Sequence, residues 1–241
     1  MEPAGYALRG MRRWANVENA SVSFLDPLKY ISFKYVAVVA QSTATTAGSQ
    51  TIWKINSIYD PDGAVGGHQP YGYDQLTALY GRYRVLKTRW RVAFGTSTGT
   101  MHVVVLPVSG ALANSIASDT TFQTACEMPR ARSAVIGGGG SPAINLNGTI
   151  DLPALTGATI TEYKSDDRYS AAINTDPSTV MYLYVGYYNP TASTVVIQTR
   201  VELEFFCELY QPIAQGGSTL KLTDEEQKAV EIVRRINDKK N

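Results

Sequence analysis

The chain has 241 residues, of which 44% are hydrophobic and 18% charged, and its formal net charge is +1. This composition suffices to bury one sizeable core and excludes a strongly basic, freestanding nucleic-acid binder. No apolar run approaches the ~20 residues that span a bilayer, so the sequence predicts a soluble product made inside a cell. The charge is uneven, because residues 1–91 hold 11 of the 22 basic residues but only 6 of the 21 acidic ones. This asymmetry predicts two surfaces with different partners.

The first 25 residues lack the alternation of a strand and carry a small basic cluster, Arg9, Arg12 and Arg13, beside Trp14. We interpret residues 1–25 as an arm. Its arginines are the candidates for electrostatic contact with phosphates, without reading of base sequence. A solvated terminal tail is the alternative interpretation.

Two strands are predicted next. Residues Lys29–Val39 alternate between two faces, and a Ser/Thr/Ala/Gly loop follows over Gln41–Gln50. The second strand, Ile52–Tyr59, ends at the turn-forming run Asp60-Pro61-Asp62-Gly63. The core-facing set of the first strand is predicted to be Ile31, Phe33, Tyr35, Ala37 and Val39.

A Gly/Pro-punctuated excursion with a short helix-like piece, Asp74–Tyr80, leads into a long strand that runs to Phe94. Alternation predicts that this strand has a buried apolar face and a basic face. The core-facing residues are Leu86, Thr88, Trp90, Val92 and Phe94, and the basic ones are Lys87, Arg89 and Arg91.

The sequence Tyr-Asp-Pro-Asp at residues 59–62, followed by GGHQPYGYDQLTALYGRYRV at residues 66–85, carries a family resemblance. It resembles the segment after the second strand in capsid proteins of small circular Rep-encoding single-stranded (CRESS) DNA viruses, in particular circovirus-like ones. The shared features are a DPD turn, a GHQP tetrapeptide, an aromatic-Asp-Gln step and a Tyr-x-x-Tyr-x-Val entry into the next strand. The resemblance covers about forty residues directly.

The middle of the chain is predicted to alternate strands with loops. In order, we expect a tight turn at Gly95–Gly99, a strand at Met101–Val108 ending near Pro107, a weak helix within Ala111–Glu127, a strand at Ala131–Ile136, a glycine loop at Gly137–Gly140, a strand at Ile144–Leu152 and a long irregular surface loop at Thr156–Pro177.

Two clear strands close the pattern, Val180–Tyr188 and Val195–Leu209, and alternation over some fifteen residues makes the last one the strongest prediction. The total of about eight strands with several long loops predicts an all-β fold. We expect a single jelly-roll β-sandwich of two four-stranded antiparallel sheets over residues 26–213.

Residues 214–241 are predicted to be a C-terminal extension with an amphipathic helix at Leu222–Asp238, opened by a capping box of Thr223 and Glu226. Its apolar stripe consists of Leu222, Ala229, Val230, Val233 and Ile236. Packing on its own sheet and docking on a neighbouring subunit are both open.

The basic face of Lys87, Arg89 and Arg91 has two interpretations. These side chains could contact phosphates of a packaged nucleic acid. Alternatively, jelly-roll topology brings this strand beside the last one, where the basic side chains would form a cross-strand ladder. We favour the ladder, whose acidic partners would be Glu202, Glu204 and Glu208.

The sequence offers little for catalysis, so we expect no enzyme and no cofactor. The two histidines, His68 and His102, stand in a glycine loop and on a strand, and Cys126 and Cys207 are expected to be free thiols. Gly137–Gly140 lacks the Gly-Lys-Ser/Thr ending of a phosphate loop. Asp60 with Asp62, or Asp166 with Asp167, is a weak candidate for Ca²⁺ at a subunit seam.

The resemblance implies a coat protein whose partners are copies of itself, about sixty in a small icosahedral (T=1) shell around circular single-stranded DNA. It implies location in the virion, assembled inside a host cell, with the nucleus as one candidate compartment, and it leaves the host receptor unidentified. Genome contact would fall to Arg9, Arg12 and Arg13. The candidate subunit-interface residues are His68, Gln69, Tyr71, Tyr73 and Gln75.

Two further functions are compatible with the sequence. A coat protein of a small RNA virus would share the fold. A carbohydrate-binding β-sandwich would use Trp53, Tyr71 and Tyr73 as a sugar platform. A β-sandwich hydrolase is disfavoured by the shortage of histidines and paired acids.

Overall fold

The structure is a computed structural model that describes residues 27–63, 67–139 and 143–213. The predictions for the N-terminal arm and for the C-terminal helix fall outside these residues. Within them the chain forms nine strands and four short α-helices. The strands are β1 (Leu28–Thr43), β2 (Gly48–Lys54), β3 (Tyr80–Ser97), β4 (Met101–Val108), β5 (Arg132–Ile136), β6 (Ile144–Asp151), β7 (Ser170–Ala172), β8 (Tyr182–Tyr188) and β9 (Val195–Pro212). The helices are α1 (Tyr73–Thr77), α2 (Asp119–Glu127), α3 (Leu152–Thr156) and α4 (Ile160–Ser165).

The strands form two antiparallel sheets around one core. The first sheet has the order β1-β9-β3-β6, and the second has the order β2-β8-β4-β5. This is the strand order of a jelly roll, so the predicted fold class is confirmed. The first sheet has five strands instead of the predicted four, because β7 also pairs with β3, at Tyr83 opposite Ala171.

β9 lies at the centre of the first sheet, between β1 and β3. Its alternate residues Val201, Leu203 and Phe205 are fully buried. They share one core with residues of the second sheet such as Val103 and Leu183. The alternation predicted for the last strand is therefore confirmed, and the strand continues to Pro212.

A β-bulge interrupts β3 between Val85 and Lys87, where the register with β9 shifts by one residue. Before the bulge Val85 faces the core, and after it Thr88 faces the core. The bulged residue, Leu86, is only partly buried. Leu86 still packs against the core, as predicted, but the predicted alternation ends at this residue, because one extra residue in a strand reverses the facing of the residues before it.

The first two strands differ from their predicted bounds. β1 continues to Thr43 and β2 begins at Gly48, so the predicted ten-residue loop shrinks to residues 44–47. β2 then ends at Lys54, five residues early. The reason is Asn56, whose side chain donates to the Thr179 carbonyl oxygen and accepts from the Met181 amide. These side-chain bonds replace a strand ladder.

The predicted surface loop over Thr156–Pro177 is instead ordered and partly buried. It contains α4, a 3₁₀ turn and β7. Tyr163 of α4 is fully buried, its hydroxyl donates to the Val85 carbonyl oxygen at 3.0 Å, and its ring stacks on Tyr169 at 4.5 Å. One buried aromatic side chain therefore fastens this polar segment to the first sheet.

The outer face of the second sheet is also covered. Helix α2, capped by the Ser118 side chain, packs with Ile116 against Val104 and Tyr184 in a second apolar cluster. The weak helix predicted within residues 111–127 is confirmed only over its last nine residues. Among residues 27–63, 67–139 and 143–213, no such cover lies over the end of the first sheet near Arg89 and Arg91, whose side chains are more than half exposed.

Candidate assembly and nucleic-acid surfaces

A polar network holds the segment that follows β2. Lys54 Nζ lies 2.8 Å from Asp60 Oδ2 and 2.7 Å from Asp176 Oδ2. The Ser57 hydroxyl donates to Asp176, and the Tyr83 hydroxyl donates to the Thr175 carbonyl oxygen. The network joins this segment to the loop before β8. It therefore holds the beginning of the segment that resembles capsid proteins, residues 59–85, against the loop that contains Asp176.

His68 is exposed, and its ring stacks on Tyr35 with centroids 4.5 Å apart. Tyr35 is buried and also contacts Trp53. Burial raises the pKa of Tyr35 to about 12, and the negative charges of Asp62 and Asp60 add to the shift. The GHQP tetrapeptide thus covers a tyrosine that resists ionisation.

This pKa predicts a loss of stability at alkaline pH. An unfolded chain releases the Tyr35 proton near pH 10, whereas the folded chain holds it to about pH 12. The free energy of unfolding is therefore expected to fall as the pH rises through this window, by about 2 kcal/mol from Tyr35 alone. Urea unfolding at several pH values, compared with Tyr35→Phe, measures the difference. Equal slopes for both proteins would contradict the assignment.

The five predicted interface residues are placed differently from one another. Tyr71 is 99% exposed, and His68 and Gln75 are exposed, while Gln69 is partly buried. Tyr73 is 1% exposed, and its ring packs near Phe33 and Tyr59 while its hydroxyl accepts from the Asn174 amide. Its side chain serves the core of the subunit and is inaccessible to a second copy.

The sugar-platform hypothesis needs Trp53, Tyr71 and Tyr73 on one surface. Trp53 and Tyr73 are each 1% exposed, and only Tyr71 projects into solvent. A stacking platform needs exposed ring faces, so these three residues do not form one.

The weak calcium candidates have partners within the chain. Asp60 pairs with Lys54, and Asp166 holds Arg168 at 2.7 Å. No group of three metal-binding side chains occurs among the described residues. Cys126 and Cys207 are free thiols, as predicted. The His102 ring packs edge-on against Phe122 and Tyr188, with each ring centroid 6.3 Å away.

The outer surface of the first sheet carries a set of paired charges that we call the charged face. Arg89 Nη1 lies 2.8 Å from Glu204, and Arg91 Nη1 lies 3.8 Å from Glu202. The predicted ladder is therefore confirmed for these two pairs. The full set of side chains in the charged face is Lys34, Arg89, Arg91, Arg200, Glu202 and Glu204.

The third predicted rung is wrong. Lys87 lies opposite Phe206, in the same register that pairs Arg89 with Glu204, and the bulge before Lys87 then brings Arg84 opposite Glu208. Arg84 Nη1 is 2.9 Å from Glu208 Oε1, and Lys164 Nζ is 2.7 Å from Oε2. Arg84 and Glu208 are buried beneath α4, so this triad belongs to the interior and the charged face begins beyond it.

A groove of about 430 Å³ runs over the charged face. Asn147 and Thr149 of β6 line it together with Arg89 and Arg91. Arg89 also lies over the Phe206 ring at 5.5 Å. The groove thus combines cations, neutral hydrogen-bonding groups and an aromatic ring at its edge.

Sequence reasoning missed several members of this surface, notably Lys34, Arg200, Asn147 and Thr149. The sequence signal was the alternation along β1, β6 and β9, which places these residues on the outward face of each strand. Its use required the strand order, because residues more than a hundred positions apart meet only when β9 lies between β1 and β3.

Within the part of the chain that the structure describes, no helix has the length and apolarity to cross a membrane. No protein-family model matches the sequence, and no curated protein matches it.

Several solved structures resemble the fold. A chain from tobacco necrosis virus has a TM-score of 0.47 and 12% identity, with 79% of this chain and 86% of that chain covered. Desmodium yellow mottle tymovirus gives 0.39 and 14%, with 83% and 100% covered. The decameric BFDV capsid protein gives 0.40 and 12%, with 76% and 99% covered. At these values the jelly-roll assignment depends on the strand order of this chain and not on the likenesses.

Proposed function

We propose that this chain is the coat subunit of a small icosahedral virion and that it self-assembles into a closed shell around circular single-stranded DNA. The observation that carries the proposal is the complete jelly-roll strand order of the two sheets. The resemblance of residues 59–85 to circovirus-like capsid proteins supplies the genome type and the number of about sixty copies. The role is structural, in the virion, and requires no catalytic step and no cofactor.

Burial of loop surface would drive assembly. Large apolar side chains stand at the surface on separate elements, among them Tyr71 at 99%, Val38 at 70% and Val135 at 57% exposure. Their transfer from water into contacts with neighbouring copies is favourable, and symmetry repeats every contact around the shell. His68, Gln69 and Gln75 would supply polar contacts around Tyr71. Assembly inside the host cell would precede release of the virion.

Electron microscopy of the purified full-length chain tests this function. The expected result is uniform closed particles whose nucleic acid, once released by disassembly, is degraded by DNase and not by RNase. A 26.2 kDa monomer at every concentration and salt condition would contradict the proposal. Particles that contain only RNA would contradict its DNA component.

Tyr71→Ala is expected to raise the protein concentration needed for shell formation by at least about tenfold. Truncation of a central interface tyrosine costs about 2 kcal/mol or more, whereas removal of a side chain that is 99% exposed in the subunit leaves the fold intact. Light scattering across a concentration series measures the threshold. Tyr71→Phe keeps the ring and serves as the matched control, with a threshold near the unsubstituted one. Normal assembly of Tyr71→Ala would remove Tyr71 from the interface.

A further inference from the structure

The two partners of each ion pair in the charged face differ in their exposure to solvent. The side chains of Lys34, Arg89, Arg91 and Arg200 are 53–62% exposed, whereas those of Glu202 and Glu204 are 14% and 33% exposed. The carboxylates therefore lie beneath and the cationic groups above them. A ligand that approaches this surface meets positive charge first, although each cation has an acidic neighbour.

Glu202 shows the imbalance most clearly, because one carboxylate serves three cations. Lys34 Nζ and Arg200 Nη2 lie 3.2 Å away, and Arg91 Nη1 lies 3.8 Å away. Burial alone would raise the pKa of Glu202, but Lys34, Arg200 and Arg91 together hold it below its ordinary value. The carboxylate stays ionised and leaves an excess of positive charge around it.

The arginines keep donors free for a ligand. A guanidinium has five N–H groups in a planar fork. Arg91 uses its Nε and Nη2 for Asn145 Oδ1, and Arg89 uses Nη1 for Glu204. Arg91 Nη1 lies 3.8 Å from Glu202, so these partners leave N–H groups over on each guanidinium. Both arginines line the groove, where Asn147 and Thr149 add neutral polar groups. Such a groove matches the charge and the acceptor oxygens of a phosphodiester chain.

We propose that the charged face binds the phosphates of single-stranded DNA, with Lys34, Arg89, Arg91 and Arg200 as the contacting residues and Glu202 and Glu204 as the groups that hold them outward. This inference rests on the proposed shell function and extends it, since the first sheet would then face the interior of the particle. It also unites the two interpretations of the basic strand, because the ladder positions the cations that meet the phosphates.

The test uses the full-length chain and a fluorescent oligo(dT), with binding measured by anisotropy over a range of salt concentrations. Arg89→Gln/Arg91→Gln is expected to weaken binding about tenfold near physiological salt. Loss of two phosphate contacts should also reduce the slope of log affinity against log salt by about 1.4. Arg130→Gln/Arg168→Gln removes the same charge from exposed positions that do not line the groove and should change the slope little.

Glu202→Gln/Glu204→Gln separates a binding surface from a purely structural ladder. Binding should become several-fold tighter, because the opposing charge is removed. The cationic partners of both glutamates are 53–62% exposed and stay hydrated when the carboxylates are replaced, so the variants should remain folded, as circular dichroism verifies. Unchanged binding and slope in both sets of variants would overturn the inference. Affinity for oligo(U) more than tenfold above that for oligo(dT) would overturn DNA as the occupant.

Electron microscopy of the same proteins keeps this inference distinct from the proposed function. Normal particles from Arg89→Gln/Arg91→Gln with undiminished DNA affinity would refute the binding surface and leave the shell function standing. Absence of particles from the unsubstituted chain would refute the shell function, while anisotropy on the free subunits would still decide whether the charged face binds DNA.

Discussion

Glu208→Ala is expected to lower the free energy of unfolding by about 3–5 kcal/mol. Glu208 is 3% exposed and accepts from Arg84, which is itself 6% exposed. Alanine would leave the guanidinium of Arg84 buried without its counter-ion, which is far more costly than the loss of one ion pair. Lys164, at 32% side-chain exposure, can turn to solvent. Urea unfolding of the monomeric protein at low concentration measures the change.

Glu204→Ala is the matched control. Glu204 lies on the same strand as Glu208, and its 2.8 Å distance to Arg89 is similar to the 2.9 Å between Glu208 and Arg84. Both partners are solvent-accessible, so the cost should be at most about 1 kcal/mol. Arg84→Met with Glu208→Leu removes both buried charges and should recover most of the lost stability. Equal costs for Glu208→Ala and Glu204→Ala would show that burial does not govern these pairs.

Tyr163→Ala is expected to cost about 3–5 kcal/mol. The substitution removes a fully buried ring, the stack on Tyr169 and the hydrogen bond to the Val85 carbonyl oxygen. This ring fastens residues 160–172 to the first sheet. We therefore also expect the substitution to accelerate amide hydrogen exchange in residues 160–172 more than in β4. Urea unfolding and hydrogen exchange with mass spectrometry measure the two effects.

Two controls bracket this result. Tyr163→Phe keeps the ring and loses one hydrogen bond, so its cost should be about 1 kcal/mol. Ile160→Ala alters the same helix at a residue that is 49% exposed and should change stability by no more than about 0.5 kcal/mol. If Ile160→Ala were as costly as Tyr163→Ala, the anchor would be the helix as a whole and not the tyrosine.

The long strands could be predicted because each has one face in water and one in the core. β4 was predicted with its observed bounds, Met101–Val108, and the alternation of β9 was clear over most of its length. Period-two patterns of this length are local properties of the sequence. They fix which residues enter the core before any pairing is known.

What could not be predicted depends on contacts between distant residues. The polar composition of residues 156–177 indicates a surface loop, and only the position of Tyr163 over Val85 makes it part of the core. The end of β2 is set by Asn56, whose partners are more than a hundred residues away. Neither partner is visible in the local pattern.

The candidate site shows the same division. Alternation, together with the jelly-roll topology that places the two strands side by side, predicted that Arg89 and Arg91 would meet glutamates of the last strand. The bulge at Leu86 decided that Arg84, and not Val85, lies opposite Glu208. A one-residue shift of register therefore separates a buried structural triad from an exposed surface, and no composition or spacing rule locates that shift.

The last two strands in the sequence, β8 and β9, lie in the interior of their sheets, and this affects how the protein must fold. β8 separates β2 from β4, and β9 separates β1 from β3. During synthesis the earlier strands therefore remain without their central neighbours until almost the whole domain has left the ribosome, with unpaired edges that invite aggregation. Pairing of residues so distant in sequence also slows folding. Neither sheet can therefore be completed until the last two strands of the domain have been synthesised.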